Sequence, residues 1–450
     1  MKKTTLLLLM VLLCNSSIFL SSCSNSKDQL PVLLERKKAM GPDDEKMTIK
    51  TTYDKAVEAL KKNPDDLKNY ITLASVFVSE GRITGNNSYY SNAAIQMLDK
   101  VTDKTTGNMD LVFQSLSLRS AILLNMHQFK DALEVAQKGA AINSTNAGIF
   151  GALVDANVEM GNYDEAVKDC DKMMSIRPDL RSYSRASYLR QIFGQNAGAI
   201  EAMKMAVDAG LPGQENTEWA RTTLADLYLN TGNLDSASLL YRSSLVYRPD
   251  YPFAFIGMAR VEKARKNYDG ALEYAKKAIQ ARSEVAFVSL LADIYELKGD
   301  LAKAKETRKD VIDLLEEGQK DEPKDAVVKH NVSREMATAY LNAGEPDKAL
   351  PYAQTDLTMR PNNIDANELA AWIYYMKHDY ANAKIYTDKT LVTKTQNATT
   401  LYKAGVIYSA VGDAIKGAQM MHDALAINPN VYQLMNGETF GLIANASCII

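Results

Sequence analysis

The feature that most restricts how this chain can fold is a recurrence. In "LADLYLNTGNLDSASLLYRSSLVYRPD", residues 224–250, Leu224, Ala225 and Tyr228 have helical spacing before Gly232 and Asn233 break the helix. A second run carries Leu234, Ala237, Tyr241 and Ser244, and Pro249 ends it. The same frame fits "LVDANVEMGNYDEAVKDCDKMMSIRPD", "MATAYLNAGEPDKALPYAQTDLTMRPN" and "AGVIYSAVGDAIKGAQMMHDALAINPN". Unit starts near residues 67, 113, 147, 180, 218, 252, 285, 330, 364 and 398 give nine intervals, seven of them 33, 34 or 38 residues. At 450 residues the chain exceeds one core, and a fixed short period points to an extended array of small units.

Each unit reads as two amphipathic helices that cannot bury their apolar stripes alone, so neighbouring units must stack. Ala225, Ala237, Ala271, Ala292, Ala304, Ala337 and Ala349 stand where helices cross, and Tyr228, Tyr241, Tyr295 and Tyr340 fill the gaps between units. The turn glycines supply positive φ. Period, paired alanines, turn glycine and closing proline together resemble the tetratricopeptide repeat family over about residues 50–430. That resemblance implies an all-α fold, a right-handed superhelical solenoid of antiparallel helix pairs whose first helices line a concave groove. His127, Lys266 and His378 depart from it at the turn glycine, and Gly417 replaces an alanine.

Two long intervals interrupt the spacing. The excess in 67–113 is expected between helices, in "GRITGNNSYY", residues 81–90. The excess in 285–330 predicts a lengthened second helix ending near Gly318, then a charged linker, 319–329, that is a candidate hinge. The array then divides into 47–318 and 330–430, preceded by a spacer, 23–46, and followed by an apolar tail, 431–450. The segment "YDKAVEALKKNPDD" reads as a half unit capping the array.

The N-terminus is of another kind. "MKKTTLLLLMVLLCNSSIFLSSC" has two lysines and an apolar run too short to span a bilayer, which marks residues 1–22 as an export signal. Its end, Leu20-Ser21-Ser22-Cys23, resembles the lipobox of bacterial lipoproteins, which implies lipidation of Cys23 and a tethered, exported body. An ordinary secretory signal cut near the same place is the alternative. Ser24 favours the outer membrane, and "SNSKD" is an imperfect match to the surface-export signals of Bacteroidota lipoproteins, leaving periplasmic and surface orientations open.

Lys plus Arg number 52 against 55 Asp plus Glu, and this mildly acidic balance disfavours general nucleic-acid binding. Cys14 leaves with the signal; Cys170 and Cys448 are too few and too distant for a disulfide scaffold. Cys170, between Asp169 and Asp171, is expected to be a small buried hydrophobe. The four histidines are scattered, and no phosphate loop, nucleophile elbow or Cys-x-x-Cys occurs, so neither enzyme nor cofactor is expected.

A helical wheel of the first helices proposes Arg181, Tyr188, Trp219, Asp226, Phe253, Arg260, Asp293, Trp372, Tyr375 and Tyr402 as groove contacts. Aromatics mixed with both charge signs suit a protein or peptide partner. The leading expectation is therefore a membrane-anchored protein-binding scaffold or assembly factor of the cell envelope. A glycan-binding outer-membrane lipoprotein and a self-associating structural protein are the alternatives.

Overall fold

The computed structural model describes residues 30–36, 43–102, 107–322 and 326–435. The signal, Cys23, Pro323 and most of the apolar tail lie outside these residues. Residues 33–435 are described as one unit.

Helix α1 (Asp43–Lys62) precedes a series of antiparallel pairs. The first four are α2 (Leu67–Thr84) with α3 (Asn87–Thr102), α4 (Met109–Asn125) with α5 (Phe129–Ile142), α6 (Ala147–Met160) with α7 (Tyr163–Ile176), and α8 (Leu180–Ile192) with α9 (Asn196–Asp208). Next come α10 (Glu215–Asn230) with α11 (Leu234–Tyr247), α12 (Pro252–Ala264) with α13 (Tyr268–Ala281), and α14 (Val285–Leu297) with α15 (Leu301–Asp321). The last are α16 (Ser333–Asn342) with α17 (Pro346–Met359), α18 (Ile364–Met376) with α19 (Tyr380–Thr390), and α20 (Ala398–Ala410) with α21 (Ala414–Ile427), followed by α22 (Val431–Leu434). Each pair packs against the next, so the fold is an all-α solenoid of stacked helix pairs.

Seven of the ten expected unit starts, 67, 147, 180, 252, 285, 364 and 398, are the first residues of first helices. The local cause is capping. Asn146, Asp179, Asn363 and Asn397 accept backbone N–H bonds from the first turns of α6, α8, α18 and α20, each contributing about 1 kcal/mol. The seven crossing alanines are 0–1% exposed, as close helix approach requires. At the turns, Gly161, Gly194, Gly232 and Gly412 have φ between 71° and 91°, and His127, Lys266 and His378 adopt the same left-handed conformation at 55°, 62° and 59°. The three departures from glycine therefore keep the turn at a steric cost of about 1–2 kcal/mol each.

The long intervals resolve differently from expectation. Residues 81–90 are mostly helical: α2 continues to Thr84, turns at Gly85, and α3 begins at Asn87. A Cβ on Gly81 would lie 3.3 Å from the Tyr90 Cβ, so the bare backbone lets α3 close against an extended α2. Helix α15 likewise runs past Gly318 to Asp321.

The chain also returns on itself. The Arg282 guanidinium donates to the Arg82 carbonyl (2.9 Å), and the Asn331 N–H to the Met126 carbonyl (3.0 Å). The Asn363 amide donates to the Glu159 carbonyl (3.1 Å), the Asn196 amide to Gln396 (3.2 Å), and the Asn428 amide to Leu229 (3.0 Å). These partners are 199 to 205 residues apart. Helices α2–α11 thus form one coil and α12–α21 a second coil laid against it. Inter-helix turns of the first receive the loops that close repeats in the second. The two long repeats, starting at 67 and 285, are six units apart, and both fall at the first two of these contacts, so the register survives both. Within the linker, Val328 is 8% exposed, and its carbonyl accepts from Asn92 of α3 at 3.2 Å.

Candidate functional site

Consecutive first helices are joined by ion pairs about one repeat apart. Arg185 of α8 bonds Asp155 of α6 (2.8 Å), and Arg260 of α12 bonds Asp226 of α10 (3.2 Å). Arg334 of α16 bonds Asp365 of α18 (3.4 Å), and Lys403 of α20 bonds Glu368 of α18 (2.9 Å). Arg334, Asp365, Glu368 and Lys403 were not singled out by the helical wheel. An acid and a base recurring 30 to 35 residues apart was the signal that could have found them.

These last four line a cavity of about 290 Å³ between α16, α18 and α20. Burial pushes the Glu368 carboxyl up, but Lys403, the Thr400 hydroxyl (2.6 Å) and Arg334 outweigh it and hold the group below its ordinary value. Glu368 is therefore ionised at neutral pH. Tyr188 of α8 is 41% exposed, yet its hydroxyl is raised well above the ordinary value by burial and by Asp365 and Glu159.

The proposed contacts fall into three groups. Arg181, Tyr188 and Trp219 are exposed, Trp219 by 37%. Asp226 and Arg260 are half-buried and paired, and Asp226 also accepts from the buried Tyr241 hydroxyl at 2.6 Å. Phe253 is half-buried, with Tyr251 at 5.4 Å, Phe287 at 5.9 Å and the Arg282 guanidinium at 5.3 Å from its ring. The third group is interior. Asp293 is 5% exposed beside Arg308 and beside Lys263, whose ammonium burial pulls below its usual value against the attraction of Asp293. Trp372 is 4% exposed, stacked on the half-buried Tyr375 at 4.8 Å with the Lys403 ammonium 5.9 Å from its ring. Tyr402 is 2% exposed and donates to or accepts from the Tyr432 hydroxyl of α22 at 2.9 Å.

Cys170 is 3% exposed, and burial with Asp171 pushes its thiol up to about 11. Among the described residues no three His, Cys, Asp or Glu side chains are grouped to hold a metal ion, and no helix is long and apolar enough to cross a membrane.

Residues 222–286 match the family model described as tetratricopeptide repeat. Over these residues the chain is similar to that family. Over 265 residues it is 25% identical to cellulose synthase 1 operon protein C of Komagataeibacter xylinus, covering 56% of this chain and 19% of that protein. The matched region thus spans about a fifth of the relative's length. Among solved structures, a human IFIT1 dimer with PPP-AAAA aligns over 84% of this chain and 87% of that one, with 15% identity and a TM-score of 0.45. The APC/C hetero-tetramer Cut9-Hcn1 aligns over 87% and 93%, with 13% identity and a TM-score of 0.36. Stacked-repeat solenoids of this kind present extended concave surfaces that generally serve protein–protein interaction.

Proposed function

We propose that this protein is a lipid-anchored scaffold of the bacterial envelope, tethered through Cys23, that holds a protein or peptide against its first helices. The observation that carries the reading is the pair of exposed aromatics on consecutive first helices, Tyr188 at 41% on α8 and Trp219 at 37% on α10. Large aromatics left open on a rigid surface are the usual anchors of protein interfaces. The glycan alternative is weaker at Trp372, because its ring is only 4% exposed and stacked on Tyr375.

The test is affinity isolation of the full-length protein from crosslinked, detergent-solubilised envelopes, beside a Tyr188→Ala/Trp219→Ala variant of unchanged circular dichroism. A specific protein recovered with the parent and lost from the variant supports the scaffold. Equal recovery from both overturns the anchor assignment, and recovery of none overturns the scaffold. Anchoring is read separately, by detergent-phase partitioning that is lost in Cys23→Ala.

A further inference from the structure

The cavity between α16, α18 and α20 lies on other helices than Tyr188 and Trp219, and its walls specify a chemistry of their own. Two cations, Arg334 and Lys403, face it with two acids, Asp365 and Glu368. With the charges of the lining residues balanced, a ligand of one sign would leave an opposite lining charge without its partner, whereas a ligand carrying both signs would not.

The two ion pairs are not equivalent. Glu368 is satisfied at both oxygens, by Thr400 at 2.6 Å and Lys403 at 2.9 Å. Arg334 and Asp365 meet through one contact of 3.4 Å, with side chains 42% and 40% exposed. A pair this long and open leaves most of the guanidinium N–H groups and one carboxylate oxygen to a ligand. Leu341, Leu369 and Met376 line the same space and give it an apolar side. Because Trp372 is only 4% exposed and already stacked on Tyr375, that side accepts an aliphatic chain by contact rather than a flat ring by stacking. The volume, about 290 Å³, sits at the small end of ligand pockets, which run from about 300 to 1,000 Å³.

We propose that this cavity binds a small zwitterion, an α-amino acid or short peptide with an aliphatic side chain, its carboxylate on Arg334 and its ammonium on Asp365. A terminus of a long polypeptide brings only one of these charges to the site, so the ligand is a free small molecule. The scaffold is then one that also senses a soluble metabolite.

Calorimetric titration of the full-length chain with leucine, methionine and dileucine, against N-acetyl-leucine and leucinamide, tests this. The free zwitterions are expected to bind, and each blocked form to bind about tenfold or more weakly, since one charge-assisted hydrogen bond to the ligand is then lost. Arg334→Gln and Asp365→Asn are each expected to weaken binding by a similar factor. Arg334 also faces Glu159 of the first coil, so a second variant is needed that spares both ion pairs. Thr399→Tyr fills the cavity and is expected to abolish binding without lowering the melting temperature. Absence of binding by every free form up to ~10 mM, a range that admits even weak affinities, overturns the proposal. So does equal binding of the blocked forms, or undiminished binding by a folded Thr399→Tyr protein.

Discussion

Arg360, just after α17, donates to the Glu159 carboxylate of α6, 201 residues earlier in the chain. The same guanidinium holds Asp356 through bonds of 2.7 and 2.6 Å and lies 4.9 Å from the Phe129 ring centroid of α5, while only 2% exposed. One side chain therefore joins three helices drawn from both coils, using the planar fork that lysine lacks.

Removing it should be costly. Arg360→Ala leaves the buried Asp356 without its partner and is expected to lower stability by about 3–5 kcal/mol in urea denaturation. Arg360→Lys should recover only part of this.

The same variant should alter the pH profile. Burial raises the Glu159 carboxyl, and Arg360 opposes the rise. With a folded pKa above the unfolded value of about 4.3, the unfolded state loses its proton first. Glu159's contribution to stability therefore falls as pH climbs from there through its folded value. In Arg360→Ala the opposing charge is gone, and the fall should extend to higher pH. Parallel stability profiles from pH 4 to 8 for the two proteins would contradict this.

His330 should act in the opposite direction. Burial, then the neighbouring His127 with its ring 4.6 Å away, pulls its imidazole down to about 4. As pH drops from the unfolded value of about 6.5 toward the folded one, the unfolded state takes up the proton first, so stability is lost over that window. His330→Asn should flatten the profile there by a slope approaching 1.4 kcal/mol per pH unit, roughly the limit for one proton. Carboxylates titrating in the same range affect both proteins and subtract out.

Two glycines with similar backbones should respond unequally to alanine. Gly161 has φ 78° and Gly412 φ 91°, so both substitutions carry left-handed strain of about 1–2 kcal/mol. A Cβ on Gly161 would lie 2.4 Å from the Asn362 backbone carbon of the second coil, whereas one on Gly412 meets nothing within 4 Å. Gly161→Ala should therefore lower the melting temperature further than Gly412→Ala, and it alone should enlarge the radius of gyration in X-ray scattering.

Gly257 tests packing where the first coil runs on into the second, between α12 and α11. A Cβ there would fall 2.1 Å from Cε1 of Tyr241, which is fully buried. Gly257→Ala should cost about 1–3 kcal/mol through overpacking. Combined with Tyr241→Leu, the loss should be smaller than the sum of the single losses, which a double-mutant cycle in urea measures.

What was legible in the residues was local. The closing proline, the turn glycine and the crossing alanines each act within one repeat, and so Leu180, Pro252 and Ile364 could be placed as helix starts. The coil contacts were not legible, because Asn331, Asn363 and Asn428 look like ordinary loop residues until a partner about 200 positions away is known. The groove assignments suffered similarly. A helical wheel gives each first helix one outward face, but Tyr402 is covered by Tyr432 from the chain's last described helix, and Trp372 by a tyrosine and a lysine.

Arrays of this kind change over evolutionary time by gaining or losing whole repeats, because a unit that touches only its neighbours can be copied without disturbing the rest. The coil register removes that freedom. One repeat added between Gly85 and Gly232 would move every downstream asparagine or arginine contact out of step with its turn and set the two long repeats seven units apart. Between those two turns, therefore, the coil contacts fix the number of repeats, and change there that keeps the contacts is confined to substitution.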